Sequence, residues 1–179
     1  DLGLDRVYAF RINEENKLFL SATYQADAKT GPRHLVVHPE TKLVYVFTEL
    51  SSELHVVDFS NDDVKLIEKI SALPEGVDAQ KWGAAIRLSN DGRFLYVSNR
   101  GHDSISVFKL GETLELIQNV STEGVQPRDF NLSPCGKYFV VANHDTNNLT
   151  LFAIDQSTGL LSLLQKNFEA PEAVCVVFA

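Results

Sequence analysis

Apolar residues along this chain fall in short runs broken by polar clusters, and the runs return in a fixed order. The first set reads 34–39 (HLVVHP), 43–47 (LVYVF), 54–59 (LHVVDF) and 64–70 (VKLIEKI). The second reads 85–89 (AIRLS), 94–98 (FLYVS), 104–108 (SISVF) and 114–118 (LELIQ), and the third 129–133 (DFNLS), 138–142 (YFVVA), 149–152 (LTLF) and 160–164 (LLSLL). Runs of this length, rich in Val, Ile, Leu, Phe and Tyr and bounded by Gly, Pro, Asn and Asp, predict strands. Tight turns are predicted at 40–42 (ETK), 90–93 (NDGR) and 134–137 (PCGK), and in the last two glycine supplies the positive φ that hairpins need. Each unit therefore reads strand, tight turn, strand, loop, strand, loop, strand. A polar loop over 60–63 separates the last two strands of the first unit.

Repetition at a period of roughly 45 residues is the sign of a repeat architecture. The second run of each unit is almost continuously apolar, as expected for a small sheet covered on both faces. Radial stacking of four-stranded blades covers sheets in that way, so the expected fold class is all-β, an incomplete β-propeller. Residues 6–12 (RVYAFRI) and 17–21 (KLFLS) read as the third and fourth strands of a unit, and 173–178 (AVCVVF) as one further strand. The expected organisation is one propeller domain over 1–179: a half blade at 1–27, blades at 28–79, 80–121 and 122–168, and the first strand of a further blade at 169–179. Three blades fall below the roughly four needed for closure. The uncovered blade faces are therefore expected to be closed by a missing part of the ring or by another chain.

A net charge of −8 excludes an electrostatic grip on nucleic acid, which rests on concentrated Lys and Arg. No apolar run approaches the roughly 20 residues that span a bilayer, and no charged-then-apolar leader is visible, so no membrane partner or secretory signal is expected. Cys135 and Cys175 lack the spacing of a metal site and fit a reducing cytoplasm. His38, His55 and His144 also lack ligand spacing and are expected at the surface or at strand edges. No metal site or cofactor is expected.

Against this acidic background three arginines stand at strand ends. Arg33 and Arg128 precede first strands and Arg100 follows a second strand. In a propeller these positions gather at one mouth of the central channel, where guanidinium forks suit phosphate or carboxylate. Glu49 ends the strand that pairs with the one beginning at His34, so a hairpin brings Glu49, His34 and Arg33 together. The same residues also read as a structural salt bridge between strands, His102 as a loop residue bonded to backbone, and Trp82 as packing.

The segments 1–5 (DLGLD), 31–34 (GPRH), 48–50 (TEL), 90–96 (NDGRFLY), 98–105 (SNRGHDSI), 127–130 (PRDF) and 142–143 (AN) carry a family resemblance. Together they resemble the C-terminal half of the lactonase family with a seven-bladed β-propeller, which contains 6-phosphogluconolactonase and is similar to carboxymuconate cyclases. The resemblance implies hydrolysis of an anionic sugar lactone, with 6-phosphogluconolactone the leading substrate and no metal requirement. Such hydrolysis needs an activated water, oxyanion stabilisation and a proton for the leaving alkoxide. Glu49 is the expected water-activating base, assisted by His34 and Arg33, with Arg100, Arg128 and His102 binding substrate. Where many members carry an acid this chain has Ala85, and the half spanned here is expected to be inactive alone. A lactonising cyclase and a non-enzymatic binding propeller are the alternatives; the units lack the Trp-Asp ending of WD40 scaffolds.

Overall fold

The computed structural model describes residues 1–60 and 63–179, so the expected loop at 60–63 falls partly outside the described residues. β1 (Arg6–Ile12) and β2 (Leu18–Gln25) form a two-stranded antiparallel sheet. Three four-stranded sheets follow: β3 (Pro32–Val37), β4 (Val44–Thr48), β5 (Glu53–Asp58) and β6 (Lys65–Ser71); β7 (Gly83–Leu88), β8 (Phe94–Asn99), β9 (Ser104–Lys109) and β10 (Glu115–Ser121); β11 (Pro127–Leu132), β12 (Tyr138–Asn143), β13 (Asn148–Ile154) and β14 (Leu161–Glu169). Each is an antiparallel meander in sequence order, and the described residues contain no helix. This is the all-β, incomplete propeller that the repeats imply.

The first strands β3, β7 and β11 neighbour one another and mark the axis side, while the fourth strands β6 and β14 are mostly exposed and β10 is partly buried. Between them β4 and β8 are buried along their whole length. Phe94, Tyr96, Phe130, Phe139 and Phe152 fill the seam between the second and third sheets, and Tyr45, Phe47, Leu54, Ile86, Leu95 and Phe108 that between the first and second. Each such side chain contributes about 1.5–3 kcal/mol. The seam beside β1 and β2 is lighter, built on Val7, Tyr24, Val44, Val46 and Val57. Phe10, Ile12 and Leu18 at one end, and Leu163, Leu164 and Phe168 at the other, remain exposed.

Residues 173–178 do not pair as the further strand that their composition suggests. A strand needs a ladder partner, and here, among the described residues, side chains of β11 hold the segment. Val176 donates its N–H to Asp129 (2.9 Å), and Asn131 donates to the Val176 carbonyl (3.0 Å). The surface placement expected of two histidines is also corrected. His55 is fully buried on β5, with Nδ1 2.9 Å from the Tyr24 hydroxyl. His38 is 9% exposed; its Nδ1 accepts the N–H groups of Glu40 and Thr41, so Nε2 carries the proton and donates to the Gly92 carbonyl (3.1 Å). His144 is at the surface against Asp145.

One backbone device recurs before β1, β5, β9 and β13. Asp5, Ser52, Asp103 and Asn147 all adopt φ of 51–53°. Their carbonyls accept the N–H of Ala26, Ala72, Thr122 and Ala170, the residues that follow the fourth strands. Asp5 further accepts the N–H groups of Lys29 and Gly31, and Asp103 that of Gln126, each at 2.8 Å. These staples fix the approach to β3 and β11, and so the positions of Arg33 and Arg128.

Candidate functional site

Antiparallel order puts the starts of first strands and the ends of second strands at the same end of every sheet. Glu49 directly follows β4, Gly83 begins β7 and Arg100 directly follows β8, so residues from two sheets meet there. Glu49 Oε2 lies 2.9 Å from Arg33 Nε, and Oε1 lies 3.1 Å from Arg100 Nη2. The indole N–H of Trp82 donates to the same Oε1 at 3.0 Å. Arg33 Nη1 also donates to the Ala84 carbonyl (2.8 Å), locking the first sheet to the second, and Arg100 Nη2 donates to the Gly83 carbonyl (3.0 Å) within its own sheet. Gly83 is required for this closeness, because a Cβ there would run into the Thr48 carbonyl and the Phe47 ring.

Arg100 is 5% exposed and lies with its guanidinium carbon 4.3 Å from the centre of the Trp82 ring. Burial pushes the Arg33 and Arg100 guanidiniums down from their ordinary values, Glu49 pushes both back up, and the charge of Arg128 lowers both again. Arg128 is thus felt by both paired arginines, yet among the described residues it has no ion-pair or hydrogen-bond partner. It is half-buried at the start of β11.

His34 sits on β3 with both ring nitrogens 3.3 Å from Arg33 Nη1. Partial desolvation first, then the positive charges of Arg33 and Arg87, hold its pKa below the usual histidine value. That leaves the imidazole neutral near pH 7. His102 lies in the turn after β8, where its Nδ1 bonds the Ser104 hydroxyl (2.9 Å). Among the described residues no hydrogen bond or ion pair joins it to the arginines.

Sequence reasoning did not single out the pair formed by Arg87 and Asp129. Arg87 Nη2 donates to Asp129 Oδ1 at 3.1 Å, linking β7 to β11, while Asp129 Oδ2 receives Val176. Arg87 is embedded in an apolar strand, and Asp129 adjoins the more conspicuous Arg128. With this pair included, four guanidiniums and two carboxylates among the described residues lie on the first strands and at the adjoining ends of the second strands. No group of three or more His, Cys, Asp or Glu among the described residues is arranged to hold a metal ion. Among the described residues no helix is long and apolar enough to cross a membrane.

Residues 1–178 match the family described as lactonase, seven-bladed β-propeller. The chain is 39% identical, over 99% of its length and 52% of the relative's, to a Bacillus subtilis protein named 6-phosphogluconolactonase. A solved Lactobacillus plantarum protein is 40% identical with a TM-score of 0.89, over 96% of this chain and 51% of that one. A Pseudomonas aeruginosa structure described as a periplasmic gluconolactonase is 31% identical with a TM-score of 0.87, over 96% of this chain and 50% of that one. The chain spans about half the length of the curated relatives it matches.

Proposed function

The chain belongs to the lactonase family with a seven-bladed β-propeller, and on that premise we propose that it supplies the anion-binding side of a site that hydrolyses a sugar lactone, with 6-phosphogluconolactone as the leading substrate. The observation that carries this reading is Arg128: a half-buried guanidinium without a counter-ion among the described residues, next to two guanidiniums already fixed by Glu49, in a protein of net charge −8. The two positive charges left uncompensated at the mouth complement a phosphate dianion better than an uncharged sugar. The relative named 6-phosphogluconolactonase supports the same substrate class.

In this reading Arg128 grips the phosphate while Arg33 and Arg100, held rigid, offer their remaining N–H groups to the oxyanion that forms when water attacks the lactone carbonyl. The water-activating role expected of Glu49 passes to His34, because both Glu49 oxygens are already bound to guanidinium and indole N–H groups. Neutral His34 takes the proton of the attacking water. The tetrahedral intermediate then expels the ring oxygen, which receives that proton as the ester C–O bond breaks, giving the open acid. His102 and Ala85 have no assigned step.

The apolar residues exposed at both ends of the array are covered in the intact protein by the remaining blades of the ring or by another chain, and the activity belongs to that assembly in the cytoplasm. The test is lactone hydrolysis by the intact protein with the phosphorylated and unphosphorylated sugar lactones. Arg128→Ala is expected to raise KM for the phosphorylated lactone about 10- to 100-fold and to leave the other nearly unchanged. Equal effects on both substrates, or wild-type kinetics, would overturn the assignment.

A further inference from the structure

Connectors running from a fourth strand to the next first strand are stapled by a side chain at three of the four equivalent places. Asp5 binds Lys29 and Gly31, Asp103 binds Gln126, and Asn147 binds Glu172. The exception is Ser52, whose hydroxyl is buried and has no partner among the described residues. Its connector, 72–82, is also about twice as long as the connectors 26–31 and 122–126.

This unstapled connector ends on the site. The Trp82 carbonyl accepts the Arg100 N–H (2.8 Å), its ring lies against the Arg100 guanidinium, and its indole N–H reaches Glu49. Arg100 Nε is buried without an acceptor among the described residues, so contact with the indole face holds that part of the guanidinium plane. Gly101 lets the connector settle, since a Cβ there would strike the Gln80 carbonyl.

We propose that Trp82 takes over from the missing staple and acts as the positioning residue for Arg100 and Glu49, tying the placement of the long connector to the anion-binding geometry of the mouth. The proposal rests on the anion-site reading above. The connector is therefore part of the site, and its length serves to bring an indole to a place where Ser52 offers no carboxylate or amide. An indole suits the task because it both donates a hydrogen bond to a carboxylate and attracts a cation to its face.

Two measurements on the whole chain test it. Inorganic phosphate is titrated calorimetrically into wild type, Trp82→Phe and Trp82→Ala; in parallel, the Arg100 Nε–H resonance is followed by NMR without ligand. Wild type should show that resonance shifted upfield by the ring. Trp82→Ala should abolish the shift and weaken phosphate binding about tenfold, whereas Trp82→Phe, which keeps a ring but no N–H donor, should retain the shift and lose about threefold. Wild-type phosphate affinity in both variants, or an Arg100 resonance unmoved in Trp82→Ala, overturns the proposal. If wild type binds no phosphate, the anion-site reading falls, while loss of the Arg100 shift in Trp82→Ala still supports the placement of Arg100 by Trp82. Trp82→Phe keeps the test valid should Trp82→Ala unfold.

Discussion

The two sides of the channel mouth handle positive charge in opposite ways. On one side Arg33 and Arg100 share Glu49, with side chains 17% and 4% exposed, and each also bonds a backbone carbonyl of β7. On the other side Arg128 carries its charge with no partner among the described residues. On the proposed function, the contrast separates scaffold from reagent. Guanidiniums that are buried and paired cannot move, so they hold their remaining donors in one direction, whereas an unpaired one keeps its attraction for an incoming anion.

Removing the shared carboxylate tests the paired side and has the largest expected effect. Glu49→Ala strands two largely buried guanidiniums without compensation and should lower the free energy of unfolding by about 3–5 kcal/mol in denaturant titrations. A loss below about 1 kcal/mol would mean that the pairs hold nothing together. Arg128→Ala addresses the other side: phosphate affinity should fall about 10- to 100-fold with no loss of stability, since removing it also removes repulsion from Arg33 and Arg100. Should Arg128→Ala unfold as readily as Glu49→Ala, the division between scaffold and reagent disappears.

Much of this arrangement is legible in the sequence, for reasons that can be named. The four-strand unit recurs three times, and its first turn places Lys42, Gly92 and Gly136 at φ of 62°, 71° and 70°, so glycine announces two of the three turns and the alignment finds the third. Arg33, Arg100 and Glu49 stand at strand ends, where antiparallel order alone brings them to one mouth. Trp82 and the pair of Arg87 and Asp129 are different. Trp82 belongs to a connector that obeys no period, and the pair crosses between two sheets, a contact no single-unit pattern encodes. His38 and His55 carried a signal that residue type obscured. Aligned units put His38 level with Ser89 and Ser133, and His55 level with Ser106 and Thr150. All four counterparts make side-chain hydrogen bonds at their sites.

His55 extends the comparison to a third solution, full burial with a single carboxylate, that of Glu53, 3.6 Å away. Ser106 and Thr150 donate hydrogen bonds to the carbonyls of Ala72 and Thr122, which follow the last strand of the preceding sheet, whereas His55 meets the Tyr24 hydroxyl with Nδ1 and leaves Nε2 without a hydrogen bond among the described residues, 3.6 Å from Glu53. Burial is the largest influence on its pKa and lowers it; Glu53 and Asp27 oppose that fall, and Lys69 adds to it. A histidine whose folded pKa lies below the unfolded value of about 6.5 binds fewer protons when folded, so its contribution to stability is complete above that pH and declines as the pH falls below it. Between pH 7.5 and 5.5 the decline from His55 is at most about 1.4 kcal/mol. His34 acts in the same direction from the mouth. The measurement is chemical denaturation of wild type and His55→Gln at both pH values. His55→Gln should start less stable, because the seam with Tyr24 is disturbed, but should lose less on acidification. An unchanged pH slope would mean that His55 accepts its proton without leaving the core, through Glu53, and that the seam between β1–β2 and the first full sheet tolerates a buried charge as the Glu49 cluster does.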